Sequence, residues 1–79
     1  MNPKERRAYR WNLLKEIYNA YFANAGSEYL ITVKPEEDAE RYLALQYLLS
    51  KKYITNTKPD YNNYSLVLTV EGIDFIENL

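Results

Sequence analysis

Basic residues and tyrosines alternate in the second half of the chain, in a pattern suited to ligand binding. Three lysines flank the segment 61–64, which contains two tyrosines and two asparagines. Lysine contacts phosphate, and tyrosine rings stack on nucleic-acid bases. The pattern therefore predicts contact with a nucleic acid, although an ordinary solvated hairpin is an equal alternative. The residues assigned to binding here are Lys51, Lys52, Lys58, Asn62 and Asn63.

A second basic group lies near the N-terminus, where Lys4, Arg6, Arg7 and Arg10 occur within ten residues. Such groups resemble basic tails that hold phosphate, and we assign Arg6, Arg7 and Arg10 to nucleic-acid binding. The alternative is a set of solvated residues at a helix start. The net charge of −1 conceals these basic blocks, because the acidic residues are concentrated elsewhere in the chain.

The segment 35–54 is the one around which the other elements are placed, and it predicts a helix that runs directly into a strand. Pro35 is suited to the first helical position, and the carboxylates at 36–38 favour the positive end of the helix dipole. Lys51 and Lys52 fall in the predicted last turn. The exposed side carries Gln46, whose amide is able to read adenine, with Tyr47 and Ser50 placed to reach phosphate.

The composition argues against catalysis. The 79 residues include no cysteine and no histidine, so a cysteine nucleophile, the commonest general base and the commonest metal ligand are missing. Glu36 and Glu40 share one helix side, but no partner for acid–base chemistry accompanies them. We therefore expect a non-enzymatic protein without metal or cofactor. The absence of cysteine and of a long apolar run favours a cytoplasmic protein without membrane contact.

The remaining segments predict one α+β domain over residues 1–79. A helix is expected from Asn2 to about Ala25, with Leu13, Leu14 and Ile17 facing the core and Gly26 as its stop. Residues 29–33 favour a short strand, with a stubby capped helix as the alternative. Strands at 53–57 and 64–68 form a hairpin, and Thr69 caps a last helix through Asn78.

Two sequence motifs resemble the winged-helix superfamily. LALQYLLSKKYI at 43–54 resembles the end of a recognition helix and the opening of a wing, with Leu45, Leu48, Tyr53 and Ile54 in the family's positions. LTVEGIDFIENL at 68–79 resembles the wing-exit strand and closing helix. The resemblance implies a winged helix that binds double-stranded DNA as a transcriptional regulator. Lys52 occupies a position where the family commonly has glycine, and 26–35 is too short for a strand and a full helix.

Aromatic residues on the long first helix predict an interface between two copies of the chain. Trp11, Tyr18 and Phe22 lie off the core-facing stripe, and aromatic residues are favoured at interface centres. We therefore expect a homodimer. The alternative is a monomer in which Trp11 and Phe22 cover the hairpin and the 29–33 strand.

A second function is open to the same scaffold, namely contact with a partner protein instead of DNA. Its motivation is the surplus of apolar and tyrosine positions together with the acidic turn at 36–40. The positions concerned are Phe22, Leu43, Tyr47 and Leu49.

Overall fold

The computed structural model describes residues 1–78 and has three helices and three strands within them. In chain order the elements are α1 (Pro3–Ala23), β1 (Tyr29–Thr32), α2 (Ala39–Ser50), β2 (Ile54–Asn56), β3 (Asn63–Leu68) and α3 (Val70–Glu77). The expected α+β class is confirmed, and so is the short strand after α1. The predicted boundaries of the strands differ from the observed ones by at most one residue.

The first helix has defined signals at both ends. The Asn2 side chain accepts a hydrogen bond from the Glu5 N–H at 2.8 Å, and the Glu5 carboxylate accepts one from the Asn2 N–H at 3.0 Å. This reciprocal pair satisfies two otherwise unpaired donors. Helix α1 ends at Ala23, because Ala25 and Gly26 adopt positive φ and the Gly26 N–H bonds to the Tyr21 carbonyl. The expected extension to Ala25 is therefore wrong by two residues.

The predicted start of the central helix at Pro35 is wrong, since α2 begins at Ala39. The Lys34 carbonyl accepts bonds from Glu37 and Asp38, which closes a separate turn before the helix. Asp38 then caps α2, because its carboxylate accepts a bond from the Arg41 N–H at 3.0 Å. At the other end, Lys51 caps the helix and a three-residue turn separates it from β2, so the two lysines follow the last turn.

The three strands form one antiparallel sheet in the order β1-β3-β2. Tyr29 pairs with Leu66 on one side of β3, and Ile54 pairs with Leu68 on the other. The β2–β3 hairpin, which we call the wing, is therefore covered on one edge by β1. Residues at alternate positions of β3 are buried, as the alternating pattern predicts.

The core lies between the two longer helices and one face of the sheet. Leu13, Leu14 and Ile17, which were predicted to face the core, are buried, and α2 contributes the buried residues Ala44, Leu45 and Leu48. Ile54, Tyr64, Leu66 and Leu68 come from the sheet, and Val33 follows β1. The predicted inward face of α1 is thus confirmed.

The last helix is held closely against the start of β2. The Thr69 hydroxyl donates to the Lys52 carbonyl at 2.6 Å and accepts from the Gly72 N–H at 3.0 Å, which confirms Thr69 as the cap. The Thr69 N–H donates to the Tyr53 carbonyl at 3.1 Å. Gly72 is buried, and a Cβ atom at this position would overlap the Tyr53 carbonyl oxygen. The absence of a side chain at Gly72 therefore allows α3 to sit where it does.

Candidate functional site

Helices α1 and α2 bring cationic side chains together around one tyrosine ring. The guanidinium carbon of Arg10 lies 4.2 Å from the Tyr47 ring centre, and the Lys51 ammonium lies 6.0 Å from it. The electron-rich face of the ring attracts both cations. Arg7 lies one turn before Trp11 on α1 and lines the same surface. Three of the basic residues predicted to bind nucleic acid are thus gathered on one face.

The cations on this face differ from several other basic residues of the chain in having no ion-pair partner among the described residues. The ion pairs within residues 1–78 involve Arg6, Lys34 and Arg41. Arg7, Arg10 and Lys51 have no carboxylate partner in that part of the chain. Their charge is therefore available to an anionic ligand.

Arg6 is not available in the same way, because it binds Glu40. Its Nη2 atom lies 2.9 Å from Oε1 of Glu40, and its Nε atom donates to both carboxylate oxygens. This hydrogen bond, together with the attraction of opposite charges, raises the pKa of Arg6 and lowers the pKa of Glu40. The predicted phosphate contact by Arg6 would require this ion pair to open.

A groove of about 410 Å³ adjoins the cations, between α1, the C-terminal end of α2 and α3. Leu14 and Leu48 form its floor, and Trp11, Tyr53 and Phe75 form aromatic walls. The Phe75 ring stacks on Tyr53 with centroids 4.5 Å apart and meets Trp11 edge-on at 6.0 Å. Phe75 was not among the predicted site residues. The sequence predicts the last helix that carries Phe75, but no local pattern links Phe75 to Tyr53.

Gln46 is half-buried, although it was expected on the exposed side of α2. Its amide nitrogen donates to the hydroxyl of Tyr64 at 3.2 Å. Burial raises the pKa of Tyr64, whose hydroxyl remains the acceptor of this bond. The exposed position predicted for Gln46 is therefore wrong. Contact with a base would require the Gln46 amide to break its hydrogen bond to Tyr64.

The wing contributes a separate group of predicted residues. The Asn63 amide donates to Asp60 at 3.3 Å, and its oxygen accepts from the Thr32 hydroxyl at 2.7 Å, so this side chain serves the hairpin. Asn62 is half-buried, and its carbonyl accepts from Val33. Lys58 is exposed near the tip of the wing. These residues do not line the groove described above.

Two further predicted residues lie where α2 ends. Ser50 is the last residue of α2 and is exposed, and Lys52 is exposed beyond it. Lys52 has φ of 63°, the left-handed conformation that glycine adopts most easily.

The three residues predicted to form a dimer interface have different surroundings. Trp11 packs on Phe75 of α3 in its own chain. The Tyr18 hydroxyl donates to Glu77 at 2.7 Å, and this bond raises the pKa of Tyr18. Phe22 touches Tyr18 and Tyr21 and is 54% exposed.

A charged cluster that the sequence did not suggest joins three elements. Glu16 of α1 accepts from the Tyr29 hydroxyl at 2.6 Å and from Arg41 Nη2 at 3.0 Å. Partial burial alone would raise the pKa of Glu16. The hydrogen bonds from Tyr29 and Arg41, together with the positive charge of Arg41, outweigh the effect of burial, so the pKa of Glu16 lies below its ordinary value. This cluster positions β1 and α2 on α1.

Comparison with known proteins finds no matching family model, curated protein or solved structure. Residues 1–78 contain no group of three acidic side chains able to hold a metal ion. Within the same residues, no helix combines the length and apolarity that crossing a bilayer requires.

Proposed function

We propose that this chain is a small winged-helix protein that binds double-stranded DNA and acts as a transcriptional regulator without catalysing a reaction. The sheet order β1-β3-β2 and the placement of α2 directly before the wing support the winged-helix assignment. The observation that carries the binding proposal is the placement of Arg10 and Lys51 around Tyr47, with Arg7 lining the same groove.

The proposed contacts are made mainly to the DNA backbone. Arg7, Arg10 and Lys51 contact phosphates along the α1–α2 face, with Lys52 and Ser50 at the end of α2. Lys58 and Asn62 extend the contact through the wing. Because Gln46, Asn63 and Arg6 are engaged within the chain, the proposal predicts weak sequence preference.

A titration of a labelled mixed-sequence duplex, followed by fluorescence anisotropy, tests this function. Binding is expected at low salt and should weaken steeply as salt rises, because each phosphate contact releases counterions. Lys51→Gln should weaken binding to all sequences and reduce the salt slope by about 1. Lys15→Gln removes the same charge from an exposed position outside the groove and is the matched control.

Two results would contradict the proposal. One is a lack of binding at tens of micromolar protein and low salt, where even non-specific DNA binding is normally measurable. The other is an equal effect of Lys15→Gln and Lys51→Gln, because the binding would then follow total charge and not the face around Tyr47.

Contact with a partner protein is the second function that we propose for this scaffold. The observation in its favour is Leu43, which is 60% exposed on α2 beside the exposed Tyr47. Phe22 is also exposed, whereas Leu49 packs partly against the core. Leu43→Asp should preserve the fold and abolish retention of a protein partner in a pull-down. Retention of the partner by that variant would contradict this function.

A further inference from the structure

The groove beside Tyr47 has the size and lining of a small-molecule site. Its volume of about 410 Å³ falls within the usual range of such sites. It reaches down to Leu14 and Leu48, which are almost fully buried. Because these two leucines are already out of water, a ligand would cover the exposed part of the aromatic walls, such as Phe75, which is 39% exposed. Removing that apolar surface from water is favourable in proportion to the area covered.

The aromatic walls of this groove are already ordered. Phe75 stacks on Tyr53 with an angle of 20° between the ring planes. Trp11 meets Phe75 edge-on, with an angle of 69° between their ring planes. The hydrogen bonds of Thr69 to Lys52 and Tyr53 fix the helix that carries Phe75. A ligand therefore meets a preformed surface and does not have to order these rings.

The charge of the groove is confined to the side formed by α1 and the end of α2. Arg7, Arg10 and Lys51 stand there without a carboxylate partner among residues 1–78, while Phe75 and Tyr53 form the opposite wall. This asymmetry matches a molecule with one anionic head and an apolar body. A nucleobase fits less well, because its polar edges would lie against aromatic walls that offer few hydrogen-bonding partners.

We propose that this groove binds small amphipathic carboxylates, either aromatic or of medium aliphatic chain length. The carboxylate lies between Arg10 and Lys51, where a charge-assisted hydrogen bond forms with the guanidinium. The apolar body lies against Trp11 and Phe75. This site does not rest on the proposed DNA binding, and its test contains no DNA.

Trp11 provides a direct reporter, since it is the only tryptophan of the chain and lines the groove. Octanoate is titrated while Trp11 emission is recorded, and octanol is the uncharged comparison. Octanoate should change the emission saturably at up to several millimolar, and octanol should bind about tenfold more weakly. Isothermal titration calorimetry measures the same affinities independently of fluorescence.

Three variants locate the bound molecule. Lys51→Gln should weaken octanoate binding about tenfold and leave octanol unchanged, because it removes only a charged partner. Phe75→Ala should weaken both ligands, because it removes a wall. Lys15→Gln should change neither. Circular dichroism verifies that each variant is folded, and the exposed Lys51 gives a usable variant even if Phe75→Ala unfolds.

Any of three outcomes overturns the site. Absence of a saturable change with octanoate would show that the groove takes no such anion. Equal affinity for octanoate and octanol, or no effect of Lys51→Gln, would show that the cations do not select the ligand. A protein that fails to bind DNA but binds octanoate as described would leave this inference standing and exclude the proposed function.

Discussion

The guanidinium carbon of Arg10 lies 4.2 Å above the centre of the Tyr47 ring, which joins the first half of α1 to the exposed face of α2. Tyr47→Phe keeps the aromatic face and should bind duplex DNA as the original chain does. Tyr47→Leu removes it and should weaken binding about two- to fivefold, the worth of an exposed cation–π contact. Duplex titration at fixed salt measures both. Equal affinities for the phenylalanine and leucine variants would show that the ring does not position Arg10.

The close approach of Gly72 to Tyr53 predicts a large effect of a single methyl group. Gly72→Ala should lower the free energy of unfolding by about 1–3 kcal/mol, because the added Cβ overlaps the Tyr53 carbonyl and α3 must move. Chemical denaturation followed by circular dichroism measures the change. This loss runs against helix propensity, which favours alanine over glycine.

Gly26→Ala is the matched comparison, since Gly26 has φ of 81° and an added Cβ would meet the Tyr21 ring only at ordinary van der Waals distance, 3.6 Å. Its loss should arise from backbone conformation alone, at about 1–2 kcal/mol. If Gly72→Ala stabilises the chain, α3 does not depend on the close contact with Tyr53.

The cluster at Glu16 predicts a specific dependence of stability on pH. The pKa of Glu16 is lowered in the folded chain, so the unfolded chain binds its proton at higher pH. The stabilisation is therefore complete above the unfolded pKa of about 4.3 and is lost as pH falls through the lower, folded pKa.

Glu16→Gln tests this dependence. It should cost about 1 kcal/mol at neutral pH, a modest value because solvent partly screens the Glu16–Arg41 pair. The stability difference between the two proteins should shrink below about pH 4, measured by urea unfolding at a series of pH values. A difference that stays constant over that range would mean that the charge of Glu16 contributes nothing.

Arg10 and Lys51 serve both proposed ligands, so octanoate and DNA are expected to compete. Sodium octanoate should lower the affinity for a labelled duplex by more than sodium chloride at the same ionic strength. Octanol should have little effect, because it carries no charge to neutralise the cations. Anisotropy measures all three. Simultaneous binding without mutual weakening would place the two ligands on different residues.

Self-association through α1 stays a prediction, with Phe22 as its most exposed aromatic residue. Sedimentation equilibrium should show a dimer at about a hundred micromolar protein, which implies a dissociation constant in the micromolar range. Phe22→Ser should shift the mass towards the monomer while the helical signal stays unchanged. A monomer mass for the original chain at that concentration would exclude the dimer.

The elements of this fold were largely predictable, whereas the arrangement of the candidate site was not. Local signals identify α1, the wing and α3, because caps such as Thr69 and alternating apolar residues act within a few positions. The start of α2 was misplaced, because Pro35 and Asp38 both suit a helix start. The carboxylate of Asp38 caps the helix directly, whereas Pro35 only tolerates the first position.

The meeting of Arg10, Tyr47 and Lys51 depends on how α1 crosses α2, and no local pattern specifies that crossing. The same holds for Gln46, because helical spacing predicts an exposed side chain, whereas the wing places Tyr64 against it. Residue types therefore indicated which side chains were able to bind anions. Only tertiary packing decided which of them remain unpaired.

Leu66 lies in the central strand β3 and pairs with residues of both edge strands, which has a consequence for the folding rate of the chain. Leu66 pairs with the nearby Asn56 across the wing and with the distant Tyr29 in β1. Closing the short loop costs less entropy than closing the long one, so the wing can form early and β1 joins only after α2 has folded back. We therefore expect substitutions in β1 mainly to speed unfolding, and substitutions in the wing to slow the folding rate.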